Sequence, residues 1–445
     1  MDKAMLTDLY ELTMMAAYVD GRKDDTATFE LSIRTLPEGW GYYIANGIED
    51  AIDYLTGIRF DRRDIAFLKK KGLFKQSFLD FLERFRFAGE VHAVREGTPI
   101  FPNEPILRVT AKLTQAQLVE SALLNMINFQ TMIASKASRV VNAAARGNAV
   151  VAEFGLRRAH EEDAGLKGAR AAYIAGAVGT SNVKAGMEYG IPLAGTMAHS
   201  FIMSFSTELE AFRAYARTFP DRSTLLIDTY DTLQGAEHAA IVGRELAAAG
   251  KQLGGVRLDS GNLGALAKKV RTLLDDHGLA KVRIVASSDL NEYKIEALVK
   301  ADAPIDIYGV GTDLIAAKPV AAIPGIYKLV ADNGGARMKL SPEKRSAPGK
   351  KQVFRCVGAD GKYAQDIVAL HDEQIAGVPL MTLAVKNGRR VRPKPALERI
   401  RDYALGEVAK LPNKFKGIDV PSSYPVETAP ALKALIATLM KRSGY

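Results

Sequence analysis

The hydrophobic positions of this chain change character twice. Residues 1–20 carry apolar side chains at helical intervals, with Thr7 or Asp8 as the candidate cap. Residues 27–34 alternate as a half-buried strand does. Helical spacing returns over 44–55 and again around 78–85. Residues 90–110 read as strand, interrupted by Pro99, Pro102 and Pro105. This opening part predicts an α+β arrangement. A long run rich in Ala, Leu and Met over 113–145 predicts an extended helix.

From residue 149 the pattern becomes a regular alternation of apolar strand runs and helical runs. Strand patterns at 150–156, 225–228, 256–260 and 282–288 precede helical patterns at 169–189, 233–249, 263–277 and 293–300. The segment 195–201 (Gly-Thr-Met-Ala-His-Ser-Phe) and the run 307–312 read as further members of the strand series. Asp228, Asp259 and Asp289 are spaced 31 and 30 residues apart, the length of one βα unit. Alternation of this kind predicts a parallel sheet, with chemistry at the C-terminal strand ends. After residue 340 the alternation stops. Residues 340–352 are polar and basic and predict a mobile loop, 353–370 predict a hairpin turning at 359–362, and the tail from 385 is basic and then helical. The expected division is 1–112, 113–340 and 341–445.

Composition narrows the functional classes. The chain has 445 residues, 47% of them hydrophobic and 25% charged, which is a globular balance. Lys+Arg less Asp+Glu is 60 − 51 = +9, a mild excess that suits anionic substrates. No basic block interleaved with aromatics appears, so a nucleic-acid partner is not expected. The single cysteine, Cys356, excludes an internal disulfide and any multi-cysteine metal site. No apolar run approaches the ~20 residues of a membrane span, and the N-terminus lacks a signal-like apolar stretch. A cytoplasmic protein with no membrane partner is expected.

The residues at the strand ends carry the candidate chemistry. His199, flanked by small and apolar residues, reads either as a satisfied core histidine or as a nucleophile or base. Asp228 could orient one nitrogen of its ring, or cap the next helix. Arg257 and Asp259 lie two apart and so share a strand face; they form an anion fork beside a ribose- or Mg²⁺-binding carboxylate, or a structural ion pair. Gly309-Val310-Gly311-Thr312 could bring backbone amides to a phosphate. Phe154, followed by Arg157 and Arg158, could stack on a ring whose acidic substituent an arginine holds, or could simply pack. Ser181 could contact a ligand or cap a helix. No Walker-type phosphate loop is present.

Five strings in order resemble the nicotinate phosphoribosyltransferase family: residues 6–14 (Leu-Thr-Asp-Leu-Tyr-Glu-Leu-Thr-Met), 153–158 (Glu-Phe-Gly-Leu-Arg-Arg), 195–201, 257–261 (Arg-Leu-Asp-Ser-Gly) and 309–312. The resemblance implies an α/β sandwich domain joined to an incomplete α/β barrel of the type II phosphoribosyltransferase kind. It implies a homodimer with shared active sites, and the joining of nicotinate to phosphoribosyl pyrophosphate with hydrolysis of ATP, with Mg²⁺ expected. By position, His199 matches a phosphorylated histidine and Asp228 its orienting acid. Tyr10, supplied by the partner subunit, and Phe154 match the pair that sandwiches the pyridine ring. Arg157, Ser181, Thr196 and Arg257 lie around nicotinate. Asp259 lies by the ribose, and Ser287, Ser288, Gly309, Gly311 and Thr312 match phosphate-binding positions. The close rival is nicotinamide phosphoribosyltransferase, which carries an aspartate where Ser181 stands; a carboxylate there would repel an acidic substrate. A decarboxylating quinolinate enzyme needs more cations. A silent regulatory or nucleic-acid-binding relative has only the +9 charge in its favour.

Overall fold

The structure, a computed structural model, describes residues 3–341, 346–419 and 422–442. The chain divides into two compact units, one formed by Met1–Met132 with Ala322–Tyr445 and the other by Ile133–Ala321.

The first unit is built on a seven-stranded antiparallel sheet in the order Gly335–Ala336, Gly325–Asp332, Thr26–Ile33, Leu107–Lys112, Glu90–Val94, Met381–Lys386, Arg389–Arg390. The early strands are thus flanked on both sides by strands from beyond residue 320. Ala27 pairs with Asp332, and Ala93 pairs with Thr382. Local patterning does not reveal pairing across some three hundred residues, which is why 341–445 reads as a separate tail. The hairpin expected at 353–370 forms as Lys351–Val357 against Tyr363–Leu370. With Val378–Pro379 and Val426–Thr428 it makes a four-stranded sheet, and Leu432 of helix Pro430–Arg442 packs on Val353 and Val368. Of the loop expected at 340–352, residues 342–345 lie outside the described ones, and 351–352 belong to the strand.

The second unit carries the parallel sheet. Its six strands run in the order Gly179–Thr180, Val150–Glu153, Ile307–Val310, Arg283–Ala286, Gly255–Leu258, Thr224–Leu226, every pairing parallel. The two end strands do not pair with each other, so the sheet is an open, incomplete barrel. The expected helices appear as Thr232–Ala248, Leu263–Asp276 and Glu292–Lys300. Asp231, Asn262 and Asn291 cap them by accepting from Gln234 N, Ala265 N and Tyr293 N. Each cap lies a few residues beyond a strand, so the strand ends and helix starts share one rim. No helix among the described residues is long and apolar enough to cross a membrane.

Three elements depart from expectation. The run 113–145 breaks at Val119 into Leu113–Leu118 and Glu120–Ala145. The run 169–189 is two helices, Glu162–Ile174 and Val183–Tyr189, separated by the strand Gly179–Thr180. Gly176 at φ 118° and the Asn182 cap end one and start the other, and the Ala-rich sequence between them hides the break. The segment 195–201 is not a strand. It is a loop leading into the short helix His199–Met203, anchored by buried Met197 and Ile202.

Candidate active site

The rim of the parallel sheet gathers most of the candidate residues. Helix Thr232–Ala248 lies hard on the end of strand Thr224–Leu226, because Gly235 sits against the Ile227 carbonyl with no room for a side chain. The chain turns at that point, and two side chains follow. Asp228 is buried, and its Oδ2 accepts from the Asp259 amide (2.9 Å) and the Ser260 hydroxyl (2.6 Å). Thr229 Oγ1 lies 3.1 Å from His199 Nδ1. Asp228 therefore ties together the ends of two neighbouring strands, and Thr229 is the residue at the imidazole. The expectation that Asp228 orients the ring assumed that the strand continues to residue 228. It ends at Leu226, so the side-chain alternation no longer applies. Asp228 Oδ1 is buried without a hydrogen-bond partner among the described residues.

His199 is the first residue of its helix rather than the last of a strand. Its side chain is 39% exposed, so it is not a core histidine. Nε2 stands 3.7 Å from Asp259 Oδ2. The other oxygen of Asp259 accepts from the Ser287 hydroxyl in a very short contact. Ser287 is thus engaged with Asp259, while Ser288 is exposed at φ 95°, a costly conformation for a serine.

Arg257 lies close enough to Asp259 and Asp228 to feel their charges. Its Nη1 donates to Thr196 Oγ1 at 2.5 Å, and its Nε is buried with no partner among the described residues. Burial pushes its pKa down, and the charge of Arg157 pushes in the same direction against the pull of Asp259 and Asp228. Two guanidinium groups close enough to repel, one of them partly desolvated, make a ready receptor for a carboxylate or phosphate. Arg157 sits in an exposed turn, Leu156–Arg158, just past the strand Val150–Glu153.

Between strand and turn lies Phe154. Its amide donates to Val310 O (2.8 Å), and its ring covers Gly309, where a Cβ would stand 2.5 Å from the ring carbon Cε2. Gly309 thus leaves room for the aromatic ring. Gly311 and Thr312 lie at the start of the short helix Thr312–Ile315, half-buried. The Ser181 amide donates to Glu153 O at 2.9 Å, so Ser181 borders the same rim.

Two residues escaped the sequence reading as functional. Thr229 could have been found only by knowing where its strand stops. Glu153 stands in the string 153–158, where only Phe154 and the arginines carry candidate roles. It is buried, accepts from Thr180 Oγ1 (2.5 Å) and, in a very short contact, from the Gly155 amide, and so fixes the turn that presents Phe154 and Arg157. Burial pushes its carboxyl up from the usual range, and these two donors pull it back.

Tyr10 belongs to the other compact unit, in helix Leu9–Gly21, and is 48% exposed. Burial of its hydroxyl together with Glu120 and Glu11 pushes its pKa up to about 12, so it stays protonated at neutral pH. Among the described residues no group of three or more His, Cys, Asp or Glu side chains could hold a metal ion.

The chain is similar to known proteins along most of its length. Models of the nicotinate phosphoribosyltransferase N-terminal domain, family and C-terminal domain match residues 5–128, 150–320 and 376–436. Nicotinate phosphoribosyltransferase pncB2 of Mycobacterium tuberculosis is 46% identical over 444 residues, covering 98% of this chain and 94% of that protein. The Bacillus subtilis nicotinate phosphoribosyltransferase is 38% identical, covering 95% of this chain and 92% of that one. The crystal structure of human nicotinic acid phosphoribosyltransferase superposes with a TM-score of 0.87 at 29% identity, covering 97% of this chain and 99% of that one.

Proposed function

The chain belongs to the nicotinate phosphoribosyltransferase family, and from that premise we propose how the rim residues carry the reaction. The enzyme joins nicotinate to the phosphoribosyl group of phosphoribosyl pyrophosphate, releasing nicotinate mononucleotide and pyrophosphate in NAD salvage. One observation supports the assignment of substrate to site most strongly. Arg257, held by Thr196 and close enough to Arg157 to feel its charge, keeps a buried Nε–H without a partner among the described residues, and the Phe154 ring just before Arg157 is seated on Gly309. A planar ring bearing a carboxylate satisfies both features. Phe154 stacks on the pyridine, the two arginines take the carboxylate, and Ser181 leaves the position uncharged. The nicotinamide reading lacks support here, because an amide offers no charge to the cation pair.

His199 accepts the γ-phosphoryl group of ATP on a ring nitrogen. The bond from that phosphorus to the ADP oxygen breaks, ADP departs, and the phosphoryl group passes later to water. Thr229 at Nδ1 holds the ring, and partial exposure leaves Nε2 accessible. Asp259, braced by Ser287, places the ribose hydroxyls. Holding reactants and supporting leaving-group charge are the main demands of displacement at an anomeric carbon. The donor set also fits Mg²⁺. Magnesium commonly takes one or two carboxylates along with phosphate oxygens and water, and Asp259 with the unpartnered Asp228 Oδ1 would hold it. Bound there, it would neutralise charge on the departing pyrophosphate. The exposed Tyr10 ring completes the pyridine sandwich from a second subunit, so the working form is a homodimer. The location is cytoplasmic, in keeping with the one unpaired cysteine.

The phosphohistidine is tested by incubation with γ-labelled ATP. An acid-labile, base-stable label that disappears in His199→Ala is expected. A label that survives in that variant refutes the role of His199.

A further inference from the structure

The compact unit formed by Met1–Met132 and Ala322–Tyr445 contains a cleft of about 820 Å³ to which the reading above gives no role. Its size lies within the roughly 300–1,000 Å³ typical of small-molecule sites. Helix Leu397–Lys410, the basic segment after residue 389 and the strands Glu90–Val94 and Lys351–Val357 line it.

Three features point to an occupant. The first is charge. Arg95, Arg392 and Arg399 are exposed along the lining and form no ion pair among the described residues, whereas Arg390 and Lys394 are already matched by Glu49 and Asp53. The second is an unmet donor. Arg355 is almost wholly buried and lines the cleft. Its charge is balanced by Asp366 at 2.5 Å, yet its Nη1 has no hydrogen-bond partner among the described residues. A buried donor without a partner in a cleft wall is one that a bound acceptor or water would satisfy. The third is the mixture of surfaces. Tyr403 carries the Arg95 guanidinium 3.9 Å from its ring centroid, and Ile52, Val94 and Val378 supply apolar walls. A bare anion would leave those walls unused.

We infer that this cleft is a second binding site, separate from the residues of the parallel-sheet unit, and that it takes a phosphorylated, ring-bearing small molecule of the mononucleotide class. The phosphate is received by the Arg392 and Arg399 guanidinium groups, and the ring lies along the apolar wall beside the Arg95–Tyr403 stack.

The test is calorimetric titration of AMP, adenosine and inorganic phosphate into the full-length protein, with and without saturating nicotinate mononucleotide. AMP should bind with the mononucleotide present, and both adenosine and phosphate should bind at least about ten-fold more weakly than AMP. The double variant Arg392→Ala/Arg399→Ala alters two exposed side chains, so its melting temperature and its kcat/KM for nicotinate should be unchanged. Its affinity for AMP should fall about ten-fold or more. Loss of AMP binding in the presence of the mononucleotide, equal affinity in the double variant, or phosphate binding as tightly as AMP would each overturn the inference.

Discussion

Replacing Arg257 by methionine separates a substrate-binding arginine from a structural one. Methionine keeps much of the apolar stem and removes the guanidinium. In the folded protein that group contributes little net support. It has one side-chain acceptor, Thr196, its Nε is unsatisfied, and burial with the charge of Arg157 depresses its pKa. The melting temperature should therefore shift by no more than a few degrees, as for a surface change of about 0.5 kcal/mol. Binding is a different matter. A charge-assisted hydrogen bond to the carboxylate contributes about 1.5–3 kcal/mol, so kcat/KM for nicotinate should fall about 10–150-fold. Nicotinamide offers only a neutral acceptor, worth about 1 kcal/mol, and should lose roughly five-fold. Steady-state kinetics on both substrates, with a melting curve on the same preparation, decide the point. Equal losses for acid and amide would refute the carboxylate contact. A large drop in melting temperature with near-normal kinetics in the folded fraction would make Arg257 structural.

Two further outcomes are expected. Mixing inactive Tyr10→Ala with inactive His199→Ala should restore part of the activity, since one hybrid site keeps both wild-type residues; no recovery after verified subunit exchange would confine each site to one chain. Burial, the largest cause, pushes the Glu11 carboxyl up to about 7. Its folded-state pKa thus exceeds its unfolded value, so its contribution to stability is present at low pH and is lost as pH rises through about 7. Glu11→Gln should accordingly raise the melting temperature more at pH 8 than at pH 5, and an equal change at both would contradict the burial argument.

The parallel-sheet unit was largely legible because each strand run ends in a polar residue and each helix starts at a cap such as Asn262 or Asn291. Three strand ends met at the rim as the 30-residue spacing implied. What stayed hidden depends on where the chain bends. The apolar content of 195–201 suggests a strand, but Gly195 leaves the backbone free to loop, and the buried pair Met197 and Ile202 anchors a helix start. The exchange of Asp228 for Thr229 at the imidazole follows from a strand that ends early. That Gly309 makes room for the Phe154 ring shows only in the fold. The pairing of early strands with those beyond residue 320 leaves no local trace, because antiparallel partners need only compatible faces.

The central claim is that two arginines and a stacked ring select a pyridine carboxylate for phosphoribosyl transfer. It is tested most directly by following pyridine mononucleotide formation from nicotinate and from nicotinamide, each with phosphoribosyl pyrophosphate, with and without ATP. The account predicts rapid formation of nicotinate mononucleotide, further stimulated by ATP, and little product from the amide. Comparable kcat/KM for the two substrates would contradict it.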